Sequence, residues 1–172
     1  MIDAELSRAT GIPERVVKAI RLVESAGKDP HAVRFEPHLF RRHRPDLASR
    51  IPYTGPGPSH VRSETDRGAF ERAFALDAHA AVLSTSWGAY QVLGAHLAGL
   101  APGADADDVR AFWGRADGAS GELFVSWVRA NPRILRPARA TPPDFEGIAR
   151  AYNGAGAAPR YAVRLRAAYD QG

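Results

Sequence analysis

The apolar residues of this 172-residue chain recur at helical spacing, and segments that alternate apolar and polar residues are nearly absent. The clearest case is the stretch 13–25, in which Val16, Val17, Ile20 and Val23 fall on one face of a helix. Proline and glycine break this pattern into short segments, so the helices are joined by loops. The chain is therefore predicted to be mainly α.

The same reading predicts about eight helices and a minimal β element near residues 31–36. The length fits one domain, residues 1–172, large enough to bury a substantial core. Asp77 is expected to cap one of the helices. After a short helix at 3–9, a helix at 13–25 and a helical turn at 39–44, the further helices are predicted at 68–76, 78–84, 89–100, 105–113, 118–130, 143–152 and 160–169.

The composition excludes several classes of protein. The chain has no cysteine, which removes disulfides, thiol catalysis and thiolate metal sites. None of the six histidines stands in a metal-binding helix motif, and there is no nucleophilic serine elbow or phosphate-binding glycine loop. We therefore expect no metal and no cofactor. No apolar run is long enough for a membrane-spanning helix, and the first ten residues lack the features of a secretory signal.

Positive charge is concentrated in the last third of the chain. Lys and Arg number 23 against 19 Asp and Glu, a net charge of +4. Between residues 129 and 166 there are eight arginines and only two acidic residues. This segment is either a solvated helix surface or a basic face that meets an anionic polymer such as the cell wall.

Glu24 is the strongest candidate for a catalytic acid among the carboxylates of the sequence. It falls in the last turn of the helix predicted at 13–25, where the negative end of the helix dipole disfavours its ionised form. Partial burial would raise its pKa further. A carboxylic acid that stays protonated near neutral pH can protonate the leaving oxygen of a glycoside. The alternative is an ordinary surface residue.

Glu36 follows 12 residues later and is the candidate second carboxylate. A return of the chain from helix to loop can bring Glu24 and Glu36 together as an acid–base pair. Glu36 can equally bind backbone amides or pair with Arg41 or Arg42.

Two short segments carry polar and aromatic side chains suited to a sugar. Residues 86–91, Ser-Trp-Gly-Ala-Tyr-Gln, are predicted to open a helix, with Trp87 either stacking on a sugar or anchoring the core. Residues 152–154, Tyr-Asn-Gly, end a helix, and Gly154 fits a left-handed cap.

Four sequence blocks, taken together, resemble the N-acetylmuramidase domains of bacteria and phages, in the lysozyme-like superfamily. They lie in the order typical of that family and span nearly the whole chain. The blocks are Val-Glu-Ser-Ala-Gly at 23–27, Phe-Glu-Pro-His-Leu-Phe at 35–40, Ser-Trp-Gly-Ala-Tyr-Gln-Val at 86–92 and Ala-Tyr-Asn-Gly at 151–154. The chain departs from the family in a short link between the first two blocks and in Pro37, where arginine is common.

The resemblance implies a lysozyme-like enzyme that cuts the β-1,4 bond between N-acetylmuramic acid and N-acetylglucosamine in peptidoglycan. It makes Glu24 the general acid and Glu36, or a substitute such as Glu64 or Asp66, the group that activates water. A carboxyl separation of roughly 6.5–9.5 Å, with inversion at the sugar, is expected. The resemblance places Tyr90, Gln91, Tyr152 and Asn153 along the glycan groove. Ser86 and Trp87, from the same polar and aromatic segment, are further candidates for substrate binding.

The expected partner is therefore the glycan strand of peptidoglycan, without nucleic acid and without membrane insertion. We expect a monomer made in the cytoplasm without a signal peptide. It reaches the wall after release through holin pores, as a phage endolysin does, or as part of a phage tail or injection device. Two other functions stay open: a lytic transglycosylase that uses Glu24 alone, and a non-catalytic basic helical module that binds glycan or nucleic acid.

Overall fold

Helices dominate the computed structural model of the chain, which describes residues 2–25, 33–51, 66–96 and 120–172, apart from the side chains of residues 66 and 67. The mainly α prediction is confirmed. No described helix is long and apolar enough to cross a membrane. The α-helices within these ranges are α1 Asp3–Thr10, α2 Glu14–Ser25, α3 Pro37–His43, α4 Asp66–Leu76, α5 Ala78–Leu83, α6 Ser120–Ala130, α7 Leu135–Arg139, α8 Phe145–Asn153 and α9 Ala158–Asp170.

Most predicted helices are present with shifted ends. Asp77 caps α5 as predicted, because its carboxylate accepts a hydrogen bond of 2.8 Å from the amide of Ala80. The short α7 was not predicted, and the helix expected at 105–113 lies outside the described residues. Within the described residues, 3-10 helices lie at Pro45–Arg50, Gly94–His96 and Pro132–Ile134.

A three-stranded antiparallel sheet stands where a single minimal β element was expected. Strand β1, Val33–Phe35, fits the predicted position and pairs with β2, Thr85–Trp87, which pairs in turn with β3, Val92–Leu93. A helix was expected to begin near residue 86 and to run over 89–100. For the described residues 86–96 this prediction is wrong, because no α-helix is present there. The chain instead turns between β2 and β3, with Gly88 at φ 71° and Gln91 at φ 47°.

The turn between β2 and β3 lies against the start of α6. A Cβ atom placed on Gly88 would lie only 2.1 Å from the Cβ of Ser120. The positive φ and this close approach both require glycine at position 88. The turn is thereby held at one edge of the sheet, next to α6.

The apolar stripe predicted for α2 is buried, with Val16, Val17, Ile20 and Val23 all at most 7% exposed. Helix α9 packs against both α2 and α8. This contact brings the carboxyl end of α2 beside the last two helices. It positions Glu24 next to residues more than a hundred positions later in the chain.

Helix α1 is tied to the rest of the fold by a polar network around Asp3. The Arg21 guanidinium donates to the Asp3 carboxylate, with Nη2 2.7 Å from Oδ2, and the Tyr90 hydroxyl donates at 2.8 Å. Burial raises the pKa of Asp3, but the hydrogen bonds from Arg21 and Tyr90 outweigh it, so the net pKa is lowered. Leu6 of the same helix is fully buried.

Candidate active site

A cleft of about 800 Å³ opens between the end of α2, the sheet, and the junction of α8 and α9. It brings together residues from five separate parts of the sequence. Its polar lining includes two carboxylates, two arginines, two histidines and several amide or hydroxyl side chains. The members used in the argument below are Glu24, Arg34, Glu36, His38, Ser86, Gln91, Tyr152 and Asn153.

Glu24 lies in the last turn of α2 and is half-buried in this cleft. The hydroxyl of the buried Tyr161, on α9, donates a hydrogen bond to its Oε1. Burial is the main cause that raises the pKa of Glu24 above its ordinary value. The side chain therefore keeps its proton to a higher pH than an exposed glutamate does.

Several neighbours partly oppose this rise. The Tyr161 hydrogen bond and the positive charges of Arg164 and Arg34 favour the ionised carboxylate, and so does the side chain of Asn153. Arg164 is itself fixed, since its Nη2 donates to the carbonyl of Val23 at 2.7 Å. Glu24 can thus lose its proton during a reaction and still have partners for the resulting charge.

Glu36 faces the same cleft from the link between β1 and α3. The carboxylate is largely buried, with Oε1 3.1 Å from the Nε of Arg34 and Oε2 3.6 Å from the Nδ1 of His38. Its amide donates to the carbonyl of Ser84 at 2.8 Å, which anchors the link to the sheet. The structure therefore brings the two predicted carboxylates into one cleft, with Arg34 acting on both.

The sheet explains which side chains reach the cleft. Arg34 pairs in register with Ser86, and Ser86 pairs with Leu93. All three line the cleft. Because side chains alternate along a strand, the neighbouring Phe35 and Trp87 point to the opposite face and into the core.

Trp87 and Tyr90 are not among the cleft residues, which corrects the expectation that their rings lie along a glycan groove. Trp87 is fully buried and meets Phe70 edge to face at 5.2 Å between ring centroids. Tyr90 is 2% exposed and stacks on Phe124 at 4.4 Å, with its hydroxyl on Asp3. Neither ring has free surface for a sugar.

Gln91, Tyr152 and Asn153 do line the cleft, together with Ser86. Gln91 is held in the left-handed region, and its Nε2 donates to the carbonyl of Gly88 at 2.9 Å. A non-glycine residue with positive φ is uncommon and often marks a functional position. The Tyr152 hydroxyl donates to the carbonyl of Tyr90, which joins α8 to the turn.

Sequence reasoning did not identify Arg34, Tyr161 or Arg164 as site residues. Tyr161 lies on the buried stripe of α9 with Leu165, where a tyrosine carries a polar group that needs a partner. A tyrosine on an otherwise apolar helix face was therefore the sequence signal that could have pointed to Tyr161. Of the substitutes for Glu36, Glu64 and the side chain of Asp66 lie outside the described part of the chain.

The described residues contain no group of three or more His, Asp or Glu side chains able to hold a metal ion.

Several arginines of the basic segment have structural partners. Arg139 donates to the carbonyl of Gly11 at 2.8 Å, and Arg150 pairs with Glu146 at 2.6 Å. With Arg164 bound to Val23, this segment is only partly a free basic surface.

A mainly helical fold that places a half-buried acid and a second carboxylate in one open cleft is suited to acid-assisted bond cleavage in a large substrate. The sequence model of the family described as Muramidase, N-acetylmuramidase, matches residues 13–172. The chain therefore belongs to the N-acetylmuramidase family, and it is a peptidoglycan-hydrolysing enzyme.

A solved structure agrees with this assignment. The chain is similar to the crystal structure of the Burkholderia AP3 phage endolysin, with 27% sequence identity and a TM-score of 0.71. The match covers 98% of this chain and 70% of the endolysin chain. A search of curated protein sequences gives no match.

Proposed function

We propose that this enzyme cleaves the β-1,4 bond between N-acetylmuramic acid and N-acetylglucosamine, with Glu24 as the general acid. The observation that carries the proposal is the half-buried Glu24 carboxyl, whose pKa burial raises, inside a cleft of about 800 Å³. A protonated Glu24 gives its proton to the glycosidic oxygen as the bond to the sugar carbon breaks. Tyr161 then stabilises the carboxylate that remains.

Glu36 is the group that we propose for activating water. The carboxylate accepts the proton of a water molecule whose oxygen attacks the sugar carbon from the opposite face, which inverts the configuration. Arg34 pairs with Oε1 of Glu36, and the Nδ1 of His38 lies 3.6 Å from Oε2. The product is a reducing N-acetylmuramic acid end, and a carboxyl separation of roughly 6.5–9.5 Å stays a prediction.

A lytic transglycosylase is the second candidate, and the engagement of Glu36 by Arg34 favours it. In that reaction the 6-hydroxyl of the muramic acid attacks its own anomeric carbon, and Glu24 alone first gives and then takes the proton. The product is a 1,6-anhydro end, one water lighter than the hydrolysis product. The mass of the product therefore separates the two reactions.

The test is digestion of purified peptidoglycan by the wild type, E24Q, E36Q and E122Q, with products read by mass spectrometry. E24Q should lose activity by about 10²–10⁴-fold, the usual contribution of a general acid. E122Q, an exposed change on α6, is the matched control and should retain wild-type activity. An E24Q protein that keeps most of its activity contradicts the role of Glu24.

The E36Q variant tests the second step separately. Hydrolysis should fall strongly in E36Q, and reducing ends should be the main product of the wild type. Anhydro ends as the main wild-type product, with full activity in E36Q, would remove Glu36 from the mechanism.

We further propose that residues 1–172 form one catalytic domain that works as a monomer on the cell wall. The match of 98% of the chain to a single endolysin chain supports the single-domain part of this proposal. Release through holin pores and attachment to a phage particle are the two routes to the wall that fit such an enzyme.

A further inference from the structure

A second cavity, of about 520 Å³, lies beside the catalytic cleft. It is formed by the 3-10 helix Pro132–Ile134, α7 and α8. Arg150 and Ala151 line both this cavity and the cleft, so the two share a wall. A substrate that fills the cleft therefore passes close to the second cavity. We call it the arginine pocket, after Arg133, Arg136 and Arg150, which line it.

The arginine pocket carries a net positive charge. Arg133 and Arg136 are three residues apart, so they lie on the same side of their helical segment. Both are exposed, and neither forms an ion pair with another described residue. Arg150 is partly neutralised by Glu146. The pocket thus presents two guanidinium groups to an incoming anion.

One carboxylate, that of Asp144, also lines the pocket, but it has a structural task. Its Oδ1 accepts a hydrogen bond of 2.8 Å from the amide of Gly147 and caps α8. Gly147 itself forms part of the lining. A Cβ atom there would lie 2.4 Å from Oδ2 of Asp144 and 2.7 Å from the Cβ of Pro137. The wall of the pocket therefore allows no side chain at position 147.

We propose that the arginine pocket binds carboxylates of the peptide branches of peptidoglycan, an inference that rests on the proposed function. The peptides are attached to the muramic acid residues and carry free carboxylates, so a strand in the cleft directs a branch to its side. Guanidinium groups match carboxylates in shape and charge. The wall that the pocket shares with the cleft favours a short branch of the bound strand over a separate, long phosphate polymer.

The experiment compares two substrates: intact peptidoglycan, and the same glycan after an amidase has removed its peptides. The variant R133Q/R136Q removes the two arginine charges of the pocket that have no ion-pair partner among the described residues. The control R8Q/R129Q removes two exposed arginines that line neither cavity. R133Q/R136Q should lower kcat/KM on intact peptidoglycan by about five- to tenfold, a size expected of two exposed ion pairs, and leave the peptide-free glycan unaffected.

The control should cleave both substrates as the wild type does, and the effect of R133Q/R136Q should shrink at high salt because exposed charges are screened. Equal losses on both substrates, or no loss on either, overturn the inference while the proposed function stands. Failure of the wild type on both substrates overturns the proposed function as well. Binding of polyphosphate that depends on Arg133 and Arg136, without any preference between the two glycans, assigns the pocket to a phosphate polymer instead.

Discussion

Replacing Glu24 with glutamine should stabilise the protein at neutral pH, and this stabilisation should vanish in acid. Burial raises the pKa of Glu24, so the folded protein binds this proton more tightly than the unfolded chain. Well below the ordinary pKa of 4.5, both states hold the proton and the group makes no difference. As the pH rises above 4.5, the unfolded chain ionises first, and the cost to folding grows until the pH passes the raised folded pKa, where it reaches its full value.

The size of the effect follows from the contacts of the side chain. Glutamine has nearly the same volume as glutamate and keeps an oxygen that can accept the Tyr161 hydrogen bond, so E24Q opens no cavity. The substitution lowers stability by the extra strength of hydrogen bonds to a charged group, about 1 kcal/mol. It raises stability by removing the cost of burying a charge away from water. We expect a net gain on the order of 1 kcal/mol at pH 7 to 8. For a chain of this length the gain corresponds to about 2–4 °C in Tm.

The assay is thermal and urea unfolding of the wild type, E24Q and E122Q across a pH series from acid to neutral. E122Q should stay within about 0.5 kcal/mol of the wild type throughout, as exposed substitutions usually do. The advantage of E24Q should increase with pH and then level off. An E24Q protein that is less stable than the wild type at pH 7, or whose advantage does not depend on pH, refutes the reasoning.

Three further substitutions test individual contacts. Y161F removes a hydrogen bond that lowers the pKa of Glu24, so this pKa should rise further. If Glu24 is the general acid, as proposed, it works protonated, so the basic limb of the kcat/KM profile should move to higher pH as kcat falls. D3N should cost about 2 kcal/mol at neutral pH, measured by urea unfolding, and the difference should disappear as the pH falls through the lowered pKa of Asp3. Y90F should cost about 1 kcal/mol with KM unchanged, since the ring lies in the core; a large rise in KM contradicts that placement.

The sequence predicts best those parts of the fold that depend on neighbouring residues. The stripe from Val16 to Val23 repeats every three or four positions, so one helix face is apolar before any partner is known. The Asp77 cap is local in the same sense, because its carboxylate binds an amide three residues later. Glu24 and Glu36 were singled out by position and by resemblance, and the structure brings them into one cleft.

The segment 85–93 shows what local reasoning misses. Its β2 strand pairs with β1, about 50 positions earlier, and no local pattern records that pairing. The turn also depends on positive φ at Gly88 and Gln91, and the second of these is unusual for its residue type. The contact between Tyr161 and Glu24 spans 137 positions, so no local pattern predicts it either.

Helix α1 lies ahead of the segment matched by the family sequence model, which begins at residue 13. Even so, Asp3 of this helix holds both Arg21 and the Tyr90 hydroxyl, and the carbonyl of Tyr90 in turn receives the Tyr152 hydroxyl at the cleft. A shortened protein or a chimera cut at residue 13 would lose that carboxylate and uncover apolar core beneath Leu6. Engineered fusions should therefore keep the first helix, although it lies outside the family match.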